Sequence, residues 1–207
     1  MTRRNLWIQT VAILFALSLT VFASGQTKKG QKAAASAKHP TVVMETTMGT
    51  IKIEVLTDKA PVTAKNFLDY VTSGFYNGTI FNRVMPNFVV QGGGYLENMA
   101  PKPIKLPIKN ESKNGLKNLR GTLSMARYTD PDSATSQFFI NLSDNSNLDP
   151  ENTPGGWGYA VFAKVIEGMD VVDKIAAVKT GTKNVLGTAF ENVPLQPVVL
   201  KSAKVLQ

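Results

Sequence analysis

The 207-residue chain contains no cysteine and one histidine, His39. The first absence excludes disulfides, thiol nucleophiles and cysteine-ligated metals. It also excludes the lipid-attachment cysteine of a bacterial lipoprotein. His39 stands ahead of the first strand-like segment, so the body has no imidazole for a Ser-His-Asp triad or a histidine-ligated metal. No spaced acidic loop suggests a carboxylate site for a hard cation, and a solvated loop accounts for Asp130 and Asp132. Arginine is scarce too: residues 39–207 hold Arg83, Arg120 and Arg127 against fourteen lysines. Nor does this body carry much excess charge. Arg3, Arg4, Lys28, Lys29, Lys32 and Lys38 account for six of the formal +8, which leaves +2 for residues 39–207. No nucleic-acid face is expected of so neutral a body. Gly92-Gly93-Gly94 is followed by no helical pattern and no Gly-Lys-Ser/Thr, so it is not a phosphate loop.

What is present begins with a targeting segment. Residues 1–25 read as a secretory signal peptide. Arg3 and Arg4 form its positive end, Leu6 to Phe22 its apolar run, and Val21-Phe22-Ala23 or Ala23-Ser24-Gly25 its cleavage site. The alternative is an uncleaved anchor, since the run is at the short edge of a spanning helix, roughly 17–25 residues. Cleavage places the mature chain in the periplasm or medium, without stable membrane association. Residues 26–40 are small, polar and basic, and read as a flexible linker. The domain is expected at 41–207.

Within that domain Val42–Thr46 and Ile51–Val55 form a hairpin, with Ile51, Ile53 and Val55 inward. Pro61 opens a helix, with Asp58 or Thr57 placed to cap it. Ala64, Phe67, Leu68 and Val71 make its buried stripe, and Ser73-Gly74 ends it. Residues 95–118 read as a long loop. Further short strands are expected at 121–126, 136–141, 159–165 and 198–200, with a second helix marked by Met169, Val172, Ile175 and Ala176. Seven or eight short strands without βαβ alternation argue for an antiparallel barrel or sandwich whose ends two helices cover.

One stretch stands apart: Phe81-Asn82-Arg83-Val84-Met85-Pro86-Asn87-Phe88-Val89-Val90-Gln91-Gly92-Gly93-Gly94. Alternation along a strand puts Phe81, Arg83 and Met85 on one face and Ile80, Asn82 and Val84 on the other. Pro86 ends that strand, because it has no N–H for a ladder. Arg83 here is either a stem lying over a barrel rim or a fixed donor in an apolar site. The preference for lysine elsewhere favours a site that needs the planar guanidinium fork.

This stretch resembles the cyclophilins, the peptidyl-prolyl cis-trans isomerases, and is most similar to their secreted bacterial branch. Gly121-Thr122-Leu123-Ser124-Met125-Ala126, Ser136-Gln137-Phe138-Phe139-Ile140 and Tyr159-Ala160-Val161-Phe162-Ala163-Lys164-Val165 extend the likeness, in the family's order, over about Val42 to Val205. The resemblance implies a closed eight-stranded antiparallel β-barrel capped by two helices, with a substrate groove on its outer face. It implies Arg83 as the catalytic residue, and a proline pocket of Phe88, Val89, Phe139 and Leu148 with Tyr159 at its edge. Gln91 would contact the substrate backbone, with Gln137 and the main chain of Ala126 and Arg127 nearby.

The implied partners are proline-containing segments of unfolded or folding proteins. No metal or other cofactor is implied, and a monomer is the default. The pattern departs at Asn82, where the family usually has histidine, at Val89 for methionine, and at Asn147 for a tryptophan. Loss of that indole implies weak cyclosporin binding. Two rivals follow from the residues alone: a module that holds proline segments without turnover, and a barrel with an open interior for a small apolar ligand.

Overall fold

The computed structural model describes residues 39–206. The expected signal peptide and most of the linker lie outside the described residues. The imidazole nitrogens of His39 lie 3.2 Å from Glu54 Oε1 and 2.8 Å from Asp58 Oδ1. No helix among the described residues is long and apolar enough to cross a membrane.

Thr41–Thr46 (β1) and Gly49–Val55 (β2) form the expected hairpin. Pro61–Thr72 (α1) follows. Then come Thr79–Ile80 (β3), Arg83–Met85 (β4), Val89–Gly92 (β5), Thr122–Met125 (β6), Phe138–Asn141 (β7) and Val161–Glu167 (β8). Met169–Ala176 (α2), Thr180–Val185 (β9), Thr188–Pro194 (β10) and Val199–Val205 (β11) complete the chain. Nine strands make one antiparallel sheet in the order β3-β11-β1-β2-β8-β6-β7-β5-β4, and β9 pairs only with β10.

Three readings are corrected here. The sheet has nine strands rather than eight, and its ladder is not closed by hydrogen bonds. Its edge strands β3 and β4 are consecutive in the chain, so a bend at Phe81-Asn82 joins the two edges covalently. That bend also breaks the expected alternation. Phe81 and Val84 both enter the interior, whereas Arg83 and Met85 stay half-buried outside. Finally, neither Asp58 nor Thr57 caps α1. Glu111 does so from the long loop: its carboxylate accepts from Val62 N at 3.1 Å, and from Thr63 N and Oγ1 at 2.8 and 2.7 Å. A carboxylate there satisfies orphan N–H groups and faces the positive end of the helix dipole.

The interior is filled. The Phe67 ring of α1 lies 5.4 Å from Tyr76, 5.7 Å from Phe138 and 5.0 Å from Phe162 between centroids. Tilted and edge-on aromatic contacts of this kind add to the area they bury. Val172 and Ile175 of α2 close the other part of the same cluster. An open barrel for a small ligand is incompatible with this packing.

Candidate active site

The period of two along a strand sorts β5 and β7 into two populations. Val90, Phe138 and Ile140 belong to the interior cluster. Val89 and Phe139, their neighbours in sequence, point the other way. With Leu148 they form a separate apolar cluster, against which Phe88, Ala126 and Tyr159 pack. These side chains are therefore not barrel core. They form an apolar patch on the outer face that brings Phe88, Val89, Phe139 and Leu148 together. Phe139 and Tyr159 meet edge to face at 5.6 Å.

Strand register lays the polar groups beside this patch. Arg83 pairs with Gln91, and Gln91 with Phe139, across β4, β5 and β7. Arg83 Nη1 donates to Gln91 Oε1 at 3.3 Å, and Gln91 Nε2 donates to Gln137 Oε1 at 3.1 Å. The Arg83 guanidinium stands 5.9 Å from the centre of the Phe88 ring. Among the described residues no carboxylate lies within 4.0 Å of it. Its charge is thus held in place by an amide and a ring, with most of its N–H donors unspent.

Arg127 is different. Its guanidinium donates to the carbonyls of Gly158 at 3.2 Å, Tyr128 at 2.8 Å and Thr129 at 3.3 Å, and to that of Trp157. It also stacks on Tyr159 at 4.7 Å. The side chain is spent on clamping two loops; only its main chain is available beside Ala126.

Behind the patch runs a buried polar network that sequence reasoning missed. Asn118, 1% exposed, donates from N and Nδ2 to Asp149 Oδ1 at 2.9 and 2.8 Å. Its Oδ1 accepts from Ser124 Oγ at 2.7 Å and Asn141 Nδ2 at 3.3 Å. Asn145 Nδ2 reaches Asn141 Oδ1 at 2.8 Å and the Phe88 carbonyl at 2.9 Å. The network thus fixes the segment that carries Leu148 and the turn that carries Phe88. Satisfied buried networks make one geometry the only good one.

Two glycines allow close approach. A Cβ on Gly94 would meet Gln137 Cγ at 2.6 Å, and one on Gly158 the Leu148 carbonyl at 2.5 Å. The three-glycine run is therefore where Gln137 lies down toward Gln91. Tyr95 and Tyr128, also missed, line the groove beside Gln137. Burial pushes the Tyr95 phenol above its ordinary range, and Tyr128 adds to the shift. Trp157 lies at the surface under the Lys113 ammonium, 4.0 Å from the ring centre. Asp130 and Asp132 accept backbone N–H bonds within and beside their own loop.

An outward apolar patch beside a fixed guanidinium and two side-chain amides suits an extended peptide bearing one compact apolar ring. Among the described residues that form the patch there is no thiol, imidazole or carboxylate. This is the class of site expected of an enzyme that reorganises a peptide without breaking a bond. The family model for cyclophilin-type peptidyl-prolyl cis-trans isomerases matches residues 41–205. The chain is 50% identical over 196 residues to peptidyl-prolyl cis-trans isomerase A of Dickeya dadantii, covering 95% of this chain and 96% of that one. It is 57% identical over 164 residues to a peptidyl-prolyl cis-trans isomerase of Acinetobacter baylyi, covering 79% and 84%. A crystal structure of a cyclophilin-type isomerase of Cryptosporidium parvum superposes with a TM-score of 0.66 at 25% identity, covering 82% of this chain and 98% of that one. The same parasite protein has been crystallised in the presence of the dipeptide Ala-Pro, with a TM-score of 0.65. The chain belongs to the cyclophilin family, and its enzyme class is peptidyl-prolyl cis-trans isomerase.

Proposed function

We propose that this isomerase acts on X–Pro bonds of exported proteins as they fold, with Arg83 as its catalytic residue. The observation that carries the reading is Arg83 held beside the outward cluster of Val89, Phe139 and Leu148, with no carboxylate partner among the described residues. The X–Pro amide resists rotation because nitrogen shares its lone pair with the carbonyl, a barrier of about 18–20 kcal/mol. Rotation pyramidalises the nitrogen and localises that pair. Arg83 donates a hydrogen bond to it, an interaction that exists only once conjugation is lost. Phe88, Val89, Phe139 and Leu148 hold the proline ring, with Tyr159 at the rim. Gln91, Gln137 and the main chain of Ala126 and Arg127 hold the peptide on the other side. A 10⁴-fold acceleration needs about 5.4 kcal/mol, within reach of one charged donor in a desolvated site together with fixed positioning.

The export part of the reading rests on residues 1–25, with their two arginines, apolar run and small-residue cleavage site. Periplasmic or secreted localisation, a monomeric mature domain and weak cyclosporin binding belong to the same proposal. The test is the isomerisation rate of a short Ala-Pro peptide with purified protein and with Arg83→Ala. Collapse of the rate in a folded variant supports the catalytic role; an undiminished rate sinks it. Fusing residues 1–40 to a reporter active only outside the cytoplasm tests export separately.

A further inference from the structure

The β9–β10 hairpin reaches the Arg83 side of the groove. Along β10 Phe190 pairs with Lys183 and Val193 with Gly181, three steps against two on β9. The extra residue makes a bulge, and Asn192 takes a left-handed φ of 59° within it. Bulges re-aim side chains and concentrate beside sites. This one turns Glu191 and Asn192 into a concavity shared with Asn82, Arg83 and Tyr95. Phe190 meets Tyr95 edge to face at 5.6 Å, so the concavity has an aromatic floor. Among the described residues lining the groove and the hollows that open from it, Glu191 is the one acid. It is exposed and makes no ion pair among the described residues. Asn82, 6% exposed, lies beside it with an Oδ1 that has no partner.

An aromatic floor that ends in an unspent carboxylate is the chemistry that receives a long basic side chain. The methylene stem lies on the rings and the cationic head reaches the acid. Arg83 sits in the same concavity and keeps its charge, since Gln91 is a neutral acceptor. Glu191 offsets that charge for a basic side chain and repels the acidic side chains that Arg83 would otherwise attract. We propose that the β10 bulge is a subsite for a lysine or arginine side chain flanking the substrate proline, so that the enzyme prefers basic X–Pro segments. The proposal rests on the isomerase reading of the groove.

The experiment measures kcat/KM on peptides built around Ala-Pro with Lys, Ala or Glu placed two residues from the proline on either side. Binding of the same peptides is followed by NMR titration. The expected Lys-to-Glu ratio is about threefold to tenfold at low salt, the size of one exposed ion pair plus the matching repulsion. It shrinks toward one near 1 M salt, where screening acts within roughly 3 Å. Glu191→Lys reverses the ratio, and Glu45→Gln, on β1, leaves it as it is. Turnover of the Ala peptide with no charge preference at either position overturns the subsite but keeps the isomerase. A preference that survives Glu191→Lys overturns it too. Absence of all turnover overturns the isomerase reading, and the NMR affinities then decide the subsite by the same reversal.

Discussion

Arg83 Nη1 donates to Gln91 Oε1 at 3.3 Å, and the two residues are register partners across β4 and β5. Gln91 passes the interaction on to Gln137 at 3.1 Å, a side chain that lies where Gly94 has no Cβ. The guanidinium is thereby aimed along the outer face instead of lying over the rim. A direction set by strand pairing needs no reorganisation when substrate arrives, which is the condition for electrostatic stabilisation to lower a barrier.

Arg83→Ala should lower kcat/KM on an Ala-Pro peptide by about 10²–10³-fold, the loss seen when one charge-stabilising donor is removed. Arg83→Lys should fail by at least tenfold, because an ammonium cannot hold the fork. Thermal unfolding of both should stay close to wild type, since Arg83 has no ion pair to lose among the described residues. Near-wild-type turnover in Arg83→Lys contradicts the proposed role.

Asn118→Leu should destabilise the domain by about 2–3 kcal/mol, because it takes the Nδ2 donor from the Asp149 carboxylate, 4% exposed, and the Oδ1 acceptor from Ser124 and Asn141, while the backbone N–H to Asp149 stays. Urea unfolding gives the number. A cost below about 1 kcal/mol would mean that water replaces Asn118 freely. The surviving folded fraction should show a raised KM, because Leu148 and Phe88 lose their common support.

Glu111→Ala removes the cap of α1 and should cost about 1–2 kcal/mol, read as a fall of roughly 2–4 °C per kcal/mol in Tm for a domain of this size. An unchanged Tm would show that solvent satisfies Val62 and Thr63 equally well. Turnover at a temperature where both proteins are folded is the control.

The Lys164 hydrogen bond, with His39 adding to it, holds the Glu54 carboxyl below its ordinary range, against the opposing effect of burial. A group whose folded pKa is depressed stabilises above its unfolded value, near 4.5, and that contribution is lost as pH falls through the folded value. The Tm difference between wild type and Glu54→Gln should therefore be present above the unfolded value and close as pH falls below it. A difference that grows in acid would reverse the sign.

Asn147 borders the hollow beside Leu148 and Tyr159. Asn147→Trp should tighten cyclosporin binding by about tenfold or more, as a buried indole does at an interface, with little change in peptide turnover. Isothermal titration of the two proteins decides it.

Much of this was legible in the sequence because periodicity is local. The β1–β2 alternation, the stripe of α1 and the end of β4 at Pro86 depend on neighbours a few residues apart. The outward cluster was different. Val89 and Val90, or Phe138 and Phe139, are equally apolar, and only knowing which face is interior separates core from site. Family likeness pointed at Val89 and Phe139; their separation from Val90 and Phe138 is a property of the folded sheet. The hairpin at 180–194 was not read at all. Its first strand, Thr-Gly-Thr-Lys-Asn-Val, has no buried face to generate a pattern.

By itself the sequence determined the chemistry open to this protein. Without cysteine, and with its one histidine ahead of the body, it has no thiol or imidazole for the groove, and Arg83 is the one arginine set in an apolar strand. Where that arginine points was decided by tertiary structure. The bend at Phe81-Asn82 turns one expected strand into two edges of a nine-stranded sheet and sends Phe81 inward while Arg83 stays out. Glu111 caps a helix 48 residues upstream of it, and Glu191 comes into the Arg83 concavity from more than a hundred residues away. The physical reason is the same in each case. Side-chain type and short-range spacing are written locally, but burial, register and long-range pairing exist only once distant segments share one core.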